Sequence, residues 1–378
     1  MDIPADRTTG TRALIDVAAF RRNLNAVRSY VGAKVKILVV VKANGYGHGA
    51  LRLAQEAVRW GVDYLGVARI QEAIDLRREG VALPILVFEI PPADLLELAV
   101  NHDLDLTAAS LFDVRLLNAV AHRLGKRVSV HVKVDTGMGR LGFECKEAVG
   151  AVKEIASLGA LRLTGLYSHF ATSEDPDRSF ALQQINRFTD LCSRLENLGV
   201  MVPLKHMANS GAIIDLPEAH FDMVRPGIML YGYPPSREMR ERYPVVPVMS
   251  LVSQVTFLKT VGPNTSISYG RRYFTTQKTS IATVPVGYAD GLSRLLTTKA
   301  EVLIRERRYP VVGTICMDAV MIDLGREHDI ELGDTVTFVG RQGNEAISAW
   351  DLAAAIGTIP YEVTCLITER VPRVYVNL

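Results

Sequence analysis

The stretch Lys36-Ile-Leu-Val-Val-Val-Lys42-Ala-Asn-Gly-Tyr46-Gly-His-Gly49 carries the pattern that decides the fold. Its five consecutive apolar residues, Ile37 to Val41, have the length of a strand, which a lysine and a glycine-rich turn end. An apolar run without polar alternation is typical of a parallel strand that is covered on both faces. The run is far too short to span a bilayer, so it predicts no membrane anchor.

Seven similar runs follow, and stretches of helical periodicity lie between them. In residues 111–124, for example, apolar side chains recur at three- and four-residue steps. Eight strand–helix units predict a (β/α)8 TIM-like barrel, a fold that needs about 250 residues. The eight predicted strands are Lys36–Lys42, Tyr64–Ala68, Ile85–Phe88, Leu104–Ala108, Val128–Val134, Leu161–His169, Leu204–Met207 and Phe221–Val224.

The pattern changes near residue 235, where Pro234, Pro235, Pro244 and Pro247 predict a linker. Short alternating runs separated by turn residues follow, and they predict an antiparallel β domain. We therefore expect an α/β barrel over residues 1–240 and an all-β domain over residues 241–378. The predicted strands of the second domain include Leu251–Leu258, Thr279–Val286, Val302–Ile304, Val311–Ile315, Val320–Leu324 and Thr335–Val339.

The composition excludes several classes of protein. Of 378 residues, 48% are hydrophobic and 22% are charged, a balance that excludes disordered and fibrous proteins. The net charge is only +2 and no basic cluster is present, so no nucleic-acid partner is predicted. Met1–Gly10 lacks an apolar stretch, and the four cysteines form no CxxC pair; both observations predict a cytoplasmic protein. The histidines form no HxH or HExxH motif, so no metal site is predicted.

Chemistry in a (β/α)8 barrel takes place at the carboxyl ends of its strands. Lys42 ends the first strand, and a desolvated lysine there has a lowered pKa that suits Schiff-base or base chemistry. A lysine that extends to solvent at the barrel rim is the ordinary alternative. The glycines after it let the backbone approach a ligand closely, and Tyr46 adds a phenol.

The loop after the fifth strand contains Gly137-Met-Gly-Arg140-Leu-Gly142, which matches the dinucleotide fingerprint GxGxxG. That fingerprint normally follows the first strand of a domain, and an acidic residue ends the next strand. Here the next strand ends at His169 instead. The favoured interpretation is therefore a loop that directs Arg140 at a carboxylate or phosphate.

The seventh and eighth strands lead into Asn209-Ser210-Gly211 and Arg225-Pro-Gly227-Ile228. Barrels commonly bind phosphate at these two loops, through backbone N–H groups and a hydroxyl. A lysine on the first strand, this phosphate site and the neighbouring Arg225 together fit pyridoxal 5'-phosphate. This cofactor needs a Schiff-base lysine, a phosphate site and a partner for its ring nitrogen.

With these motifs in family order, the sequence resembles bacterial alanine racemase, a fold-type III pyridoxal-phosphate enzyme. The resemblance runs from Val41-Lys-Ala-Asn-Gly-Tyr-Gly-His-Gly49 to Tyr361-Glu-Val-Thr-Cys365 and Arg370-Val-Pro-Arg373. It implies that Lys42 binds the cofactor and acts as one catalytic base, and that Tyr269 is the opposite base. Two bases on opposite faces of Cα explain how the proton leaves one face and returns to the other.

The resemblance also implies the binding residues. Arg140 contacts the phenolic oxygen of the cofactor and the substrate carboxylate, which the backbone N–H of Met317 also meets. Arg225 donates to the pyridine nitrogen and belongs to a chain with His169, while Lys133 matches a lysine that is often carbamylated. The matching residues around the phosphate are Tyr46, Asn209, Ser210, Gly227, Ile228 and Tyr361.

The implied function is interconversion of L-alanine and D-alanine in a homodimer, in which Tyr269 reaches the barrel of the second subunit. Supply of D-alanine for peptidoglycan is the implied role. Tyr361 favours alanine, because relatives that prefer serine often carry a smaller residue there. One departure from the family is Gly313-Thr314-Ile315, where the usual sequence has Gly-Arg.

Three alternatives stay open. One is a racemase of broader specificity that accepts both alanine and serine. Another is a fold-type III amino-acid decarboxylase, although this sequence lacks the glycine triplet of those enzymes. The third is a carrier that only binds pyridoxal phosphate, but such relatives are single barrels without a β domain.

Overall fold

The computed structural model describes residues 10–239 and 243–378, which form two compact units. The barrel unit contains Phe20–Gly45 and Ala50–Val246; the β unit contains Tyr46–Gly49, Pro247–Leu378 and the described part of Met1–Ala19. Residues 1–9, on which part of the localisation prediction rests, and the predicted boundary at 240/241 lie outside the described residues. None of the described helices is both long and apolar enough to cross a membrane.

The barrel unit is a closed ring of eight parallel strands, as predicted. Each strand pairs with its neighbour in the chain, and the first strand pairs with the eighth to close the ring. All eight predicted strands are present, and we refer to them as the first to the eighth barrel strand. They are Lys36–Val40, Tyr64–Val67, Ile85–Val87, Asp105–Ala108, Val128–Asp135, Leu161–Tyr167, Leu204–His206 and Met223–Val224.

Helices connect the barrel strands, and their apolar stripes explain why they form. In the helix Leu111–Arg123, Val114, Leu117 and Ala121 are buried on one face, and the Ser110 hydroxyl caps the N-terminus. The other α-helices are Val17–Val31, Ala50–Trp60, Ile70–Arg78, Leu96–Asn101, Cys145–Ser157, Ser179–Asn197 and Ser210–Asp215, while Lys42–Tyr46 forms a turn with left-handed backbone. Short 3-10 turns cover Ala93–Leu95, Pro217–Ala219 and Ile228–Tyr231, and a two-residue strand covers Phe143–Glu144.

The β unit is a mostly antiparallel sheet, as predicted. Its strands are Arg12–Asp16, Met249–Gln254, Phe257–Val261, Ser266–Ile267, Tyr273–Phe274, Thr279–Val284, Glu301–Ile304, Arg307–Val312, Val320–Gly325, Thr335–Gln342, Glu345–Ile347 and Arg373–Val376. Two helices, Ala349–Ile356 and Pro360–Cys365, and 3-10 turns at Tyr269–Arg271, Tyr288–Asp290 and Arg294–Leu296 complete it.

Several features of the β unit differ from the sequence analysis. The predicted strand Val311–Ile315 is observed as Arg307–Val312, and residues 313–315 lie outside it. The predicted strand Leu251–Leu258 is two strands, because the chain leaves its pairing with Thr335–Gln342 and then pairs with Thr279–Val284. The strand Arg12–Asp16 was not predicted; it pairs antiparallel with Met249–Gln254 and parallel with Arg373–Val376.

Asn23 ties a helix of the barrel unit to two loops. Its side-chain nitrogen donates to the carbonyls of Leu230, at 3.0 Å, and Val246, at 2.9 Å. Its side-chain oxygen accepts from the Val246 N–H at 2.9 Å, and the residue is 1% exposed. One buried amide thus satisfies three backbone groups that no regular element satisfies.

Replacing Asn23 by alanine will leave these backbone groups without partners. We expect the free energy of unfolding to fall by about 2–4 kcal/mol, measured as a shift of the urea midpoint at constant slope. Asn25→Ala is the matched control, because Asn25 lies in the same helix but is exposed and accepts only from Trp60. Equal midpoints for the two variants would show that the Asn23 bonds contribute little.

Candidate active site

Lys42 follows the first barrel strand and opens a left-handed turn. Ala43, Asn44 and Gly45 have φ angles of 52°, 52° and 61°. A non-glycine residue in this region costs roughly 1–2 kcal/mol, and such strain collects at functional sites. The turn is held because Glu72 accepts from the Ala43 N–H at 2.6 Å, while the Asn44 side chain accepts from the Ala50 N–H at 2.9 Å.

Arg225 lies just after the eighth strand and is 4% exposed. One terminal nitrogen donates to His206 Nδ1 at 2.8 Å. The other donates to the carbonyls of Ser168, at 2.7 Å, and Met207, at 3.0 Å, and to His169 Nδ1 at 3.3 Å. Burial lowers its pKa to about 10, so the guanidinium stays protonated at neutral pH. None of these bonds uses the Nε–H, which leaves this donor for a ligand.

Four basic side chains act on His169. Burial and the charges of Arg225, Arg140, Lys133 and Lys42 hold the pKa of His169 well below its ordinary value. The imidazole is therefore neutral and accepts from Arg225 through Nδ1. The barrel unit thus brings together all the cationic residues that the sequence predicted for the site. Such a cluster favours an anionic ligand.

Lys133 points into the core of the barrel unit and is 4% exposed. Its Nζ donates to the Val134 carbonyl at 2.9 Å. Burial and the neighbouring Arg225 lower its pKa to about 7, although Asp135 opposes the shift. A large fraction of Lys133 is therefore neutral and nucleophilic near neutral pH.

The loops after the seventh and eighth strands meet at the Ser210 hydroxyl. Ser210 Oγ accepts from the Gly227 N–H at 2.9 Å and from the Met229 N–H at 3.4 Å, and Ser210 is 4% exposed. Ile228 is also buried, at the start of a 3-10 turn. Asn209 caps the helix Ser210–Asp215 by accepting from the Ala212 N–H at 3.1 Å.

The glycine motif of the fifth-strand loop packs against its own strand. A Cβ at Gly142, where φ is 124°, would lie 2.8 Å from both the Asp135 nitrogen and the Lys133 carbonyl oxygen. The short strand Phe143–Glu144 separates the motif from the helix Cys145–Ser157. A dinucleotide fingerprint opens its helix directly, so this geometry argues against that interpretation. Arg140 is exposed in the loop.

The β unit holds the remaining predicted residues. Tyr46 is buried, its ring centroid is 6.0 Å from that of Tyr361, and burial and Cys365 raise its pKa. A Cβ at Gly47 would lie 2.1 Å from the Thr364 carbonyl oxygen, so only glycine fits beside Tyr46.

Tyr269 and Met317 lie on the surface of the β unit, 72% and 52% exposed. The carbonyl of Met317 accepts from the Ala289 N–H at 3.0 Å, which ties its loop to the turn Tyr288–Asp290. A Cβ at Gly287 would lie 2.1 Å from the same carbonyl oxygen. The backbone is therefore closely packed beneath the exposed side chain of Met317.

Sequence reasoning missed His206, which holds Arg225 in place. Arginine can only donate, so His206 Nδ1 accepts and its proton lies on Nε2, which is 2.9 Å from His131 Nδ1. Burial and Arg225 keep the pKa of His206 well below its ordinary value. Its position at the end of the seventh strand was the available signal.

Two family models match nearly the whole chain. The alanine racemase N-terminal domain matches residues 15–235, and the alanine racemase C-terminal domain matches residues 248–375. The chain is 44% identical over 372 residues to "Alanine racemase 2" of Caldanaerobacter subterraneus subsp. tengcongensis, a match that covers 98% of this chain and 96% of the relative.

Solved structures agree with these matches. An alanine racemase of Clostridium difficile 630 is 40% identical, with a TM-score of 0.94 and coverage of 98% of this chain and 96% of that one. A complex of the C. difficile enzyme with cycloserine is 39% identical, with a TM-score of 0.91 and coverage of 97% and 96%. Identity and coverage at this level show that the chain belongs to the alanine racemase family.

Proposed function

We propose that this protein interconverts L-alanine and D-alanine with pyridoxal 5'-phosphate as its cofactor. Family membership supports the reaction, and a relative of similar structure has been solved with cycloserine. The observation that carries the proposal is the group of basic residues in the barrel unit, Lys42, Arg140, Arg225 and the partly protonated Lys133, whose charges act together on His169. This arrangement suits a ligand that carries a phosphate and a phenolate.

The residues present fit this cofactor. Ser210 Oγ already accepts from the Gly227 and Met229 N–H groups, so its own proton is left to donate to a phosphate oxygen. Tyr46 has a raised pKa and keeps its proton, and the resemblance to the family implies that Tyr46 and Tyr361 also contact the phosphate. Asn209, Gly227 and Ile228 would complete the phosphate site.

Lys42 would bind the aldehyde of the cofactor. When bound, the cofactor would withdraw electrons from the α-carbon of the substrate and make its proton acidic. Arg225 keeps its own proton, so its Nε–H would donate to the ring nitrogen without transferring a proton to it. We infer that this limits electron withdrawal and suppresses side reactions.

Two residues would move the α-proton. Lys42 Nζ would take it from D-alanine while Tyr269 Oη supplies a proton to the opposite face, and in the reverse direction Tyr269 would take it from L-alanine while Lys42 supplies one. Arg140 and the backbone N–H of Met317 would hold the substrate carboxylate. The neutral His169, which accepts from Arg225, would orient the phenol of Tyr269.

A homodimer with shared active sites explains the exposure of Tyr269. A phenol that is 72% exposed is solvated on most sides, whereas proton abstraction from carbon needs a site that excludes water. Met317 and Tyr288, which lie in adjoining loops, are also exposed, at 52% and 41%. We propose that this surface covers the barrel mouth of a second subunit.

We also propose cytoplasmic action and supply of D-alanine for peptidoglycan. The match of residues 248–375 to the C-terminal family domain supports a racemase over a single-barrel carrier. Tyr361 supports alanine as the substrate over serine.

Chiral analysis of purified protein with added cofactor tests the reaction. We expect L-alanine and D-alanine each to be converted into an equal mixture, and Lys42→Ala to lower the rate by at least about 10²–10⁴-fold. Lys34→Ala is the control, because Lys34 is exposed and precedes the first barrel strand, whereas Lys42 follows that strand. Release of carbon dioxide would indicate the decarboxylase, and binding without turnover would indicate the carrier.

Mixing two inactive variants tests the shared sites. Lys42→Ala and Tyr269→Ala each lack one base, but a mixed dimer contains one site with both bases. After full subunit exchange of an equal mixture, we expect about a quarter of the wild-type activity. Absence of rescue, with exchange proven by native mass spectrometry of labelled subunits, would contradict sites that are shared between subunits.

The lowered pKa of Lys133 predicts carbamylation that depends on pH. Only the neutral amine attacks carbon dioxide, and with a pKa of about 7 its neutral fraction rises as the pH passes upward through this value. We expect a ¹³C carbamate signal from labelled bicarbonate that grows with pH and is lost in Lys133→Arg. Lys153→Arg, which changes an exposed lysine, should keep the signal. A signal that persists in Lys133→Arg would assign the carbamate to another lysine.

A further inference from the structure

We propose that Thr314 is a positioning residue for Tyr269 and fixes the direction of the proposed base. The inference rests on the proposed function, in which Tyr269 Oη moves the α-proton. Thr314 stands where this sequence departs from the Gly-Arg of its family. Its hydroxyl donates to the Tyr269 carbonyl at 2.7 Å, and Thr314 is 2% exposed.

Tyr269 needs such a contact because its side chain is not packed within its own subunit. At 72% exposure, the direction of the ring depends on the backbone that carries it. That backbone is unusual, since Ser268 has φ 66° and ψ −175°, a region that glycine alone adopts readily, and Gly270 and Arg271 follow with φ 72° and 48°. A strained turn persists only where its surroundings hold it.

The surroundings form a reciprocal clasp between residues 268–269 and 314. The Ser268 hydroxyl donates to the Thr314 carbonyl at 2.6 Å, while the Thr314 hydroxyl donates to the Tyr269 carbonyl. The Cys316 thiol lies 3.5 Å from the same Thr314 carbonyl and 3.4 Å from the Ser268 hydroxyl. Each of the two segments thus supplies a hydroxyl that donates to a backbone carbonyl of the other segment.

Close packing prevents the two segments of this clasp from shifting relative to each other. A Cβ at Gly313 would lie 2.7 Å from the Ile267 carbonyl oxygen and 2.8 Å from the Ser268 Cβ. Ile267 itself belongs to a core cluster with Ile281 and Val312, so both ends of the clasp start from rigid strands. The two hydrogen bonds from hydroxyl groups therefore hold the Tyr269 backbone in a fixed orientation relative to the sheet.

The test uses the holoenzyme with Thr314→Val, which keeps the shape and burial but removes the donor. We expect kcat to fall at least about tenfold with little change in KM, because the substrate still binds but the phenol is misplaced. Thr314→Ser keeps the donor and should restore most of the loss. Thr337→Val is the matched control, since Thr337 is also 2% exposed in the β unit and accepts from Gln342.

Isotope effects distinguish positioning from general destabilisation. If the Tyr269 step alone is slowed, the deuterium effect on kcat/KM will rise for α-deuterated L-alanine and fall for α-deuterated D-alanine. A general loss of stability would change neither of the two isotope effects. Should Thr314→Val not fold, Ser268→Ala removes the other half of the clasp and should give the same divergence of the two effects.

Two outcomes would overturn the inference. One is a Thr314→Val or Ser268→Ala enzyme whose kcat and both isotope effects stay within about twofold of the wild type while Tyr269→Phe is inactive. The other is equal loss in Thr314→Ser and Thr314→Val. A Tyr269→Phe enzyme with full activity would instead overturn the proposed role of Tyr269 as a base, on which this inference rests.

Discussion

A buried guanidinium whose hydrogen-bond partners are neutral is the constraint on which the barrel site depends. Arg225 is 4% exposed, and within the described residues it donates to carbonyls and histidines rather than to carboxylates. A charge removed from water costs several kcal/mol unless its donors are satisfied. The ends of the sixth and seventh strands supply these acceptors, so the barrel must place its strand ends accurately before the site can exist.

The same charge decides the protonation of its neighbours. His169 and His206 both accept from Arg225, and burial together with the charge of Arg225 keeps the pKa of each well below the ordinary value. Since Nδ1 of His206 accepts, its Nε2–H donates to His131, whose Nε2 is 3.4 Å from Asp105. Arg225 thus fixes the tautomer of His206 and, through it, makes Nδ1 of His131 an acceptor.

The sequence predicted the strands whose pattern reflects local burial, but it missed the strand and the side-chain contacts that depend on pairing between distant segments. The eight barrel strands were found because both faces of each are covered, which makes them near-continuous apolar runs. The strand Arg12–Asp16 was missed because it is short and its partners, Met249–Gln254 and Arg373–Val376, lie far along the chain. Like Lys42, His206 lies at the carboxyl end of a barrel strand. Its role is evident only in the structure, where Arg225 lies 2.8 Å from its Nδ1. The clasp at Thr314 joins segments about 45 residues apart and leaves no local pattern.

Both proposed bases sit on backbone that is unfavourable by itself. Lys42 opens a turn in which Ala43 and Asn44 are left-handed, and Tyr269 follows Ser268 at φ 66°. In each case a neighbouring side chain holds the turn, Glu72 in the first and Thr314 in the second. Proton transfer to carbon requires donor and acceptor within a narrow range of distance and angle. A relaxed loop would sample many directions, whereas a strained turn fixed by a rigid strand has few alternatives, which accounts for strain at these two places.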